Sequence, residues 1–489
     1  MNATIRTLRL IARAFFRRIE VTGLENVPAS GGGLLISWHP NAMIDAGLIL
    51  THFPRRIVFG ARHGLFEWPL LGWVMRHLGT VPIYRGQDQM TGRLDAERQV
   101  ANTQSLDALA RAVADGSFAA LFPEGLSHDE PFPQELKTGA ARLFYRACEL
   151  TGDGDAKPVV IPVGLHYDQK SVFGSNALVA FHPPLQLDSD LVTPPPLGAS
   201  YEEAKGKYRQ LTSEFELALH DVVHATESWE LHHLLHRGRK LVRAERARRA
   251  GVSLDRPNMK ERQLGFARLW EGYRTLVRTQ PQKVHQLFLR VQDYDRDLRA
   301  LGLQDHDLDG APHLRSIWVA ATLVLQWVLA HLLLPPILIV GYAANVPTAL
   351  LVSTIGKGAS GANKDEASMK LLVGAVAFPL TWLLIAVLVG RGVAVLHSIY
   401  PTIPDAPFLT GLVAFALSAL GGIVALHYLR LVRQTYRSIG VTLTRARRSH
   451  AIQRLREQRS ELYDAMIALA EGPDLPGMAS GDRRERSLN

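Results

Sequence analysis

The chain has 489 residues, with 55 Lys and Arg against 46 Asp and Glu, a formal net charge of +9 and a pI near 9.6. Hydrophobic residues make up 47% and charged residues 21%, at a mean hydropathy of +0.01, which excludes a disordered or low-complexity chain. The single cysteine, Cys148, excludes an intrachain disulfide framework, a cysteine zinc site and a Cys-x-x-Cys redox motif.

Residues 1–19 predict a basic amphipathic helix. Arg6, Arg9, Arg13, Arg17 and Arg18 flank Ile5, Leu8, Ile11, Phe15 and Phe16, whose spacing of three to four puts them on one face. The stretch lacks the apolar core and small-residue cleavage site of a signal peptide. Such a helix suits the headgroup plane of anionic lipid, or packing on its own domain.

Residues 20–199 alternate strand-length apolar runs with helical stretches. The runs are Gly33–Ser37, Ile57–Gly60, Val81–Tyr84, Phe118–Phe122, Val159–Leu165 and Ala177–Phe181, and the clearest helices are Ala101–Ala114 and Gly139–Leu150. This order predicts an α/β domain, a central sheet flanked by helices.

Chemistry-bearing groups collect just after these strands. The first is Ser37-Trp38-His39-Pro40-Asn41-Ala42-Met43-Ile44-Asp45. A histidine at a strand end can take a proton from an alcohol, and a carboxylate can hold its other ring nitrogen. Asn41 is an alternative partner, or a helix cap. The second is Gly79-Thr80-Val81-Pro82-Ile83-Tyr84-Arg85, where the Arg85 guanidinium offers a fork for phosphate. The third is Phe122-Pro123-Glu124-Gly125-Leu126-Ser127. Gly125 permits close backbone approach, Glu124 can accept from substrate hydroxyls, and Lys137 can add a point charge. The fourth, Val160-Ile161-Pro162-Val163-Gly164, carries little chemistry of its own. Cys148 falls in mid-helix and reads as packing.

Residues 200–313 read as charged helices, with stripes at Leu211, Phe215, Leu219 and Val222 and at Leu269, Tyr273 and Leu276. The basic run Arg237 to Arg249 reads as a solvated helix face or a contact for anionic lipid. His232 and His236, at i and i+4, have the spacing of a metal pair, yet no third ligand is evident, so no metal site is assigned.

Residues 314–430 change character. No Asp, Glu, Lys or Arg occurs from Ser316 to Gly356, from Leu371 to Gly390 or from Ala406 to Leu429. A bilayer crossing needs about 20 apolar residues. The first stretch is twice that long and is divided by Pro335-Pro336, giving three spans or four; charge placement favours four, at 316–334, 337–356, 371–390 and 406–429, and a re-entrant hairpin at the double proline keeps the same parity. The Arg-rich segment 431–489 then reads as a cytoplasmic tail, on the same side as Lys357, Lys364 and Lys370. Arginine outnumbers lysine 44 to 11, which suggests a GC-rich bacterial genome and so an inner (plasma) membrane.

The order and spacing of the four blocks resemble the phospholipid/glycerol acyltransferase family. Its blocks run His-x4-Asp, an Arg-bearing block, Phe-Pro-Glu-Gly and a Val-x-Pro block. The resemblance covers residues 15–190, under half of the chain. It is nearest to the fungal-type branch of glycerol-3-phosphate and dihydroxyacetone-phosphate acyltransferases, in which His-Pro-Asn opens the first block and Phe-Pro-Glu-Gly-x-Ser-His-Asp forms the third, as in Phe122–Asp129. The stretch Lys364-Asp365-Glu366-Ala367-Ser368-Met369-Lys370 is similar to that branch as well. The chain departs from the common motif in placing five residues, not four, between His39 and Asp45.

The resemblance implies that His39 is the general base, oriented by Asp45. It implies that Arg85, Glu124 and Gly125, with Ser127 and Lys137, hold the phosphorylated acceptor. The acyl group would come as a thioester on coenzyme A or acyl carrier protein, with no cofactor beyond that co-substrate. The acceptor would be glycerol-3-phosphate or 1-acylglycerol-3-phosphate, or alternatively dihydroxyacetone phosphate. Expected partners are anionic membrane phospholipid and no nucleic acid, with the catalytic domain cytoplasmic. The rival reading is a catalytically silent scaffold that binds anionic lipid through its arginine-rich helices.

Overall fold

A computed structural model describes residues 3–84, 95–152, 156–196, 200–252, 254, 257–309, 321, 324–325, 327–328, 332, 334–359 and 363–470. The chain divides into two compact units. The first holds Met1–Trp229, Asn258–Lys260 and Ser360–Ser368; the second holds Glu230–Pro257, Glu261–Ala359 and Met369–Asn489.

The first unit is built on a seven-stranded sheet. Its strands are β1 (Arg18–Thr22), β2 (Gly33–Ser37), β3 (Ile57–Arg62), β4 (Val81–Ile83), β5 (Phe118–Leu121), β6 (Val159–Tyr167) and β7 (Asn176–Phe181), in the spatial order β1-β7-β6-β2-β5-β3-β4. All pairs are parallel except β6 with β7. All five residues of β2 are buried, as befits a central parallel strand covered on both faces. The helices are α1 (Ala3–Phe15), α2 (Met43–His52), α3 (Pro69–His77), α4 (Asp95–Ala114), α5 (Gly139–Leu150), α6 (Ser189–Val192) and α7 (Tyr201–Val223). Leu34, Ile36 and Ala119 of the sheet pack with Leu143 and Phe144 of α5 and with Leu211, Phe215 and Leu219 of α7.

Three boundaries differ from the sequence reading. The first helix ends at Phe15, and Arg18–Thr22 is a strand along β7. Its period-two alternation is hidden behind the arginines of the helix. That helix docks on its own unit, where Arg9 Nε donates to the Thr51 carbonyl at 3.0 Å and Phe15 and Phe16 are buried. At the other end, α7 begins at a capping box formed by Ser200 and Glu203 and joins the sheet core. The sheet-containing unit thus extends past residue 199, because the stripe Leu211, Phe215, Leu219 faces the sheet.

Cys148 lies in this core, and burial pushes its thiol up to about 12. A thiol held neutral and covered is unreactive. Maleimide added at neutral pH should therefore label Cys148 only after denaturation; rapid labelling of the folded chain would show the core to be open at α5.

The second unit is helical. Its helices α8 (Trp229–Arg249), α9 (Met259–Thr279), α10 (Pro281–Ala300) and α11 (Asp305–Asp309) meet the helix Ser449–Ala470. Leu241, Val291, Tyr294, Leu298, Leu455 and Leu462 share one core. The basic run of α8 is not a simple solvated face. Arg237 pairs with Asp295 and Asp305, Arg248 and Arg249 pair with Glu245, and Arg239 is buried. Nor is the described part of the expected tail, residues 431–470, a loose extension; residues 471–489 lie outside the described residues. The helix Pro407–Arg447 runs on through Arg430 without a break, and Ser449–Ala470 buries Ile452, Leu455, Arg459 and Leu462 at helical spacing. His232 and His236 pack on Phe266, at 4.8 and 4.4 Å between ring centres.

Among the described residues two helices, Ser368–Ile399 and Pro407–Ala425, are long and apolar enough to cross a membrane. They coincide with the expected spans at 371–390 and 406–429. Leu383, Leu384, Leu388, Leu409 and Leu420 are exposed along them, which argues against their being core helices of a soluble protein. The expected span at 316–334 lies largely outside the described residues. The one at 337–356 falls within the helix Leu334–Ala359, whose first turn holds Pro335 and Pro336, where a missing amide hydrogen costs nothing. That helix approaches Pro407–Arg447 closely. A β-carbon on Gly341 would sit 2.8 Å from the Gly421 carbonyl oxygen, and Asn345 Nδ2 donates to the Ser418 carbonyl at 2.8 Å. Small residues and a polar side chain at a helix crossing are the packing used where lipid replaces water.

Candidate active site

β2 and β5 are parallel neighbours, with Gly33 opposite Phe118 and Ile36 opposite Leu121. The segments leaving their carboxyl ends therefore run side by side, the first carrying His39 and the second Glu124. Ligand sites of open α/β sheets form at this edge.

The His39 ring stacks on Phe122, with centres 3.9 Å apart and planes 13° from parallel. Its side chain is 15% exposed, and Nδ1 lies 3.0 Å from Asp45 Oδ2. Asp45 is fully buried in the first turn of α2. It also accepts from the Asn41 backbone amide at 2.6 Å and from Tyr167 Oη at 2.5 Å. A carboxylate only accepts, so Nδ1 carries the hydrogen, and in the neutral ring the lone pair is on Nε2.

The five intervening residues do not separate the pair. Ala42 turns the chain into α2 at φ 45, ψ −129, a conformation that L residues rarely adopt. This strained corner brings Asp45 back under His39. Asn41 is neither the alternative partner nor the cap. Its side chain donates to the Lys170 carbonyl at 3.2 Å, and Ala42 holds the N-cap position.

Glu124 is buried beside the pair. Its Oε2 lies 2.5 Å from His128 Nε2, a close ion-pair contact without hydrogen-bond alignment. By strict alignment neither oxygen has a donor among the described residues, although the His128 side chain and the His39 backbone both act on the carboxylate. Burial raises the Glu124 pKa, and His128 opposes the rise. A buried carboxylate with acceptor capacity to spare is costly unless a ligand completes it. Because this group reprotonates above the ordinary carboxylate range, the activity it supports should fall earlier on the acid side. Glu124→Gln should remove the Glu124 contribution to the acid limb of kcat/KM, leaving the limb of the general base, along with most of the rate; an acid limb of unchanged shape would exclude Glu124 as a contributor.

Gly125 follows at φ +71, and a β-carbon there would meet Lys137 Nζ at 3.2 Å. The Lys137 backbone amide donates to the Pro123 carbonyl at 2.9 Å, so the two segments are tied together and the ammonium lies over Gly125. Ser127 is half-buried on the same loop. Arg85 lies outside the described residues. The chain leading to it is held where Asn102 bonds both backbone groups of Tyr84, at 2.9 and 2.7 Å.

Sequence reasoning missed three supporting groups. Tyr167 ends β6, and burial together with Asp45 keeps its hydroxyl protonated well above the usual phenol range. Lys170 pairs with Asp129 and donates to the Pro40 carbonyl at 2.5 Å and the His128 carbonyl at 3.3 Å, joining the first and third blocks. Ser368 donates to the Asn41 carbonyl at 3.2 Å. None has a local pattern, since each has a partner more than a hundred residues away in the chain. Only the Ser-His-Asp extension of the third block pointed to His128. Removing the Tyr167 hydroxyl costs Asp45 one charge-assisted bond, worth about 1.5–3 kcal/mol. Tyr167→Phe should lower kcat roughly 10- to 100-fold with little change in acceptor KM, and an unaltered kcat would remove Tyr167 from the relay.

Residues 18–166 match the family model described as Acyltransferase. Glycerol-3-phosphate O-acyltransferase 2 of Saccharomyces cerevisiae is 26% identical over 211 residues, which is 43% of this chain and 26% of that protein. A chloroplastic 1-acyl-sn-glycerol-3-phosphate acyltransferase of Brassica napus is 26% identical over 176 residues, covering 33% of this chain and 47% of the relative. The matches thus span about a quarter to a half of these curated relatives. Among solved structures, the 1-acyl-sn-glycerophosphate acyltransferase of Thermotoga maritima aligns at 18% identity and a TM-score of 0.28, over 44% of this chain and 82% of that one.

Proposed function

From the premise that residues 18–166 are an acyltransferase-family domain, we propose that this protein transfers a fatty acyl group from a thioester to a hydroxyl of a glycerol phosphate at a membrane surface. The observation that carries the reading is the His39–Asp45 pair beside the buried Glu124 carboxylate. The relatives named for glycerol-3-phosphate and 1-acyl-sn-glycerol-3-phosphate supply the acceptor class.

In this mechanism His39 Nε2 takes the proton of the acceptor hydroxyl as its oxygen attacks the thioester carbonyl. The new C–O bond forms and the C–S bond breaks. The imidazolium returns its proton to the leaving thiolate, and the charge on His39 is balanced meanwhile by Asp45. Glu124 accepts a hydrogen bond from an acceptor hydroxyl. Lys137 and Arg85 provide cations for its phosphate, with the Gly125 and Ser127 loop lying close against it. The donor is acyl-CoA or acyl carrier protein, and the chemistry needs no covalent enzyme intermediate. The apolar helices hold the enzyme where its product resides, since each buried methylene contributes about 0.8 kcal/mol to membrane partition. Four crossings would keep the catalytic unit and the arginine-rich C-terminal helices on one, cytoplasmic, side.

The test is transfer by the purified full chain in bilayer nanodiscs. Labelled glycerol-3-phosphate, dihydroxyacetone phosphate and 1-acylglycerol-3-phosphate would each be offered with acyl-CoA and with acyl carrier protein thioester. Label should enter one of these acceptors. No transfer from either donor to any of them would overturn the proposal.

A further inference from the structure

The helical unit contains a cavity of about 460 Å³ between α8, α9, α10 and the helix Ser449–Ala470, within the range of small-molecule sites. Its wall is mostly apolar. Leu234 and Val242 come from α8, Leu276 from α9, Phe288 from α10 and Met466 from the C-terminal helix. Gly238 and Gly265 keep it open. A β-carbon on Gly238 would sit 3.3 Å from Met466 Cε, and one on Gly265 would press on the Arg239 stem at 3.1 Å.

Four arginines share the wall, Arg239, Arg243, Arg246 and Arg268, with Glu261 as the one carboxylate among its lining residues. Arg268 Nε is buried with no hydrogen-bond partner among the described residues. The charges are unevenly placed. Arg243 and Arg246 stand toward the C-terminal end of α8, and Glu261 and Arg268 in the first half of α9. Leu234, Leu276 and Val284 belong to the opposite helix ends. Arg239 against Gly265 pairs the two helices side by side. The cavity is therefore an apolar bore with a cationic end.

A neutral amphiphile would leave the buried Arg268 nitrogen without a partner. A small anion would leave the bore without an occupant. We propose that the helical unit binds one single-chain anionic amphiphile, its acyl chain among the leucines and its carboxylate or phosphate at the arginines. This site shares no residue with the His39 pair and does not depend on the reaction proposed there.

The experiment uses the full chain in nanodiscs and a photoreactive fatty acid, with crosslinks mapped by mass spectrometry. Competitors are palmitate, a monoacylglycerol phosphate, an uncharged monoacylglycerol and glycerol phosphate without a chain. Crosslinks are expected within α8, α9 and α10, displaced by either anionic amphiphile, with at least about tenfold weaker competition from the uncharged lipid and none from glycerol phosphate. Which anionic competitor acts at lower concentration identifies the headgroup. The double variant R246E/R268E should lower the affinity at least tenfold, and Gly238→Leu should fill the bore and abolish labelling. Because Gly238→Leu can also unfold the unit, the charge variant is decisive, with its helicity checked by circular dichroism. Labelling confined to residues 1–229, equal competition by charged and uncharged lipid, or unchanged binding by the folded charge variant would each overturn the proposal.

Discussion

His39→Ala should abolish measurable acyl transfer, with a fall in kcat of at least about 10²-fold and up to about 10⁴-fold, the range that general-base catalysis contributes. Its thermal midpoint should fall somewhat, because the ring is largely buried against Phe122 and pairs with Asp45, but the variant should stay folded, since the Asn41 amide and the Tyr167 hydroxyl still hold the carboxylate. The expected loss is in kcat more than in acceptor KM, since the cations proposed for the phosphate, Lys137 and Arg85, are untouched. Asp45→Asn should follow the same pattern. An amide there can offer a donor where Nδ1–H needs an acceptor, which favours the wrong tautomer. It should also cost stability, because the Asn41 amide and the Tyr167 hydroxyl lose their charged acceptor. Full transfer by folded His39→Ala would exclude His39 as the base and favour a scaffold role for the chain.

Arg459→Ala should be the most destabilising single change in the helical unit. Arg459 is fully buried and donates to Glu245 at 3.0 Å, to the Asp305 carbonyl at 2.9 Å and to Asp309 at 2.6 Å. Removing one partner leaves buried charge uncompensated, at a cost of about 3–5 kcal/mol. Arg248 and Arg249 soften the loss by holding the other side of Glu245. The double variant R459M/E245L should recover much of it, because it removes both charges and keeps the volume. Thermal midpoints in detergent check both. A midpoint for Arg459→Ala within a degree or two of wild type would show the pair to be solvated.

The same network sets an acid limit. Burial would raise the Glu245 pKa, but Arg248, Arg249 and Arg459 hold it down to about 2, from an ordinary 4.5. A depressed carboxylate stabilises the fold above its unfolded pKa, and that stability is lost as pH falls through the folded value. Acid unfolding of the helical unit should therefore develop between about pH 4.5 and 2, and the R459M/E245L variant should be less sensitive over that window.

How far each element was legible follows from the range of the interaction that makes it. The central strands Gly33–Ser37 and Phe118–Leu121 and the helix Gly139–Leu150 announce themselves by local period and by bounding Gly or Pro. The strand Arg18–Thr22 is hidden because its alternation begins inside a helical pattern, and only pairing with β7 distinguishes the two. The charged helices look alike from composition. Their burial depends on which carboxylates stand opposite, as Asp295 and Asp305 do for Arg237 and Glu245 does for Arg459.

By itself the sequence determined the alternating α/β order, the strand ends that carry His39 and Glu124, and the charge-free stretches that cannot be ordinary loops. These are local properties, set by side-chain period and by the hydrophobic effect. The tertiary structure decided what lies against what. Parallel pairing of β2 with β5 sets His39 beside Glu124, the strained turn at Ala42 restores the reach to Asp45 across an extra residue, and the end of β6 supplies Tyr167. Those contacts join residues far apart in the chain, and no local pattern encodes which of many polar groups a buried carboxylate will meet.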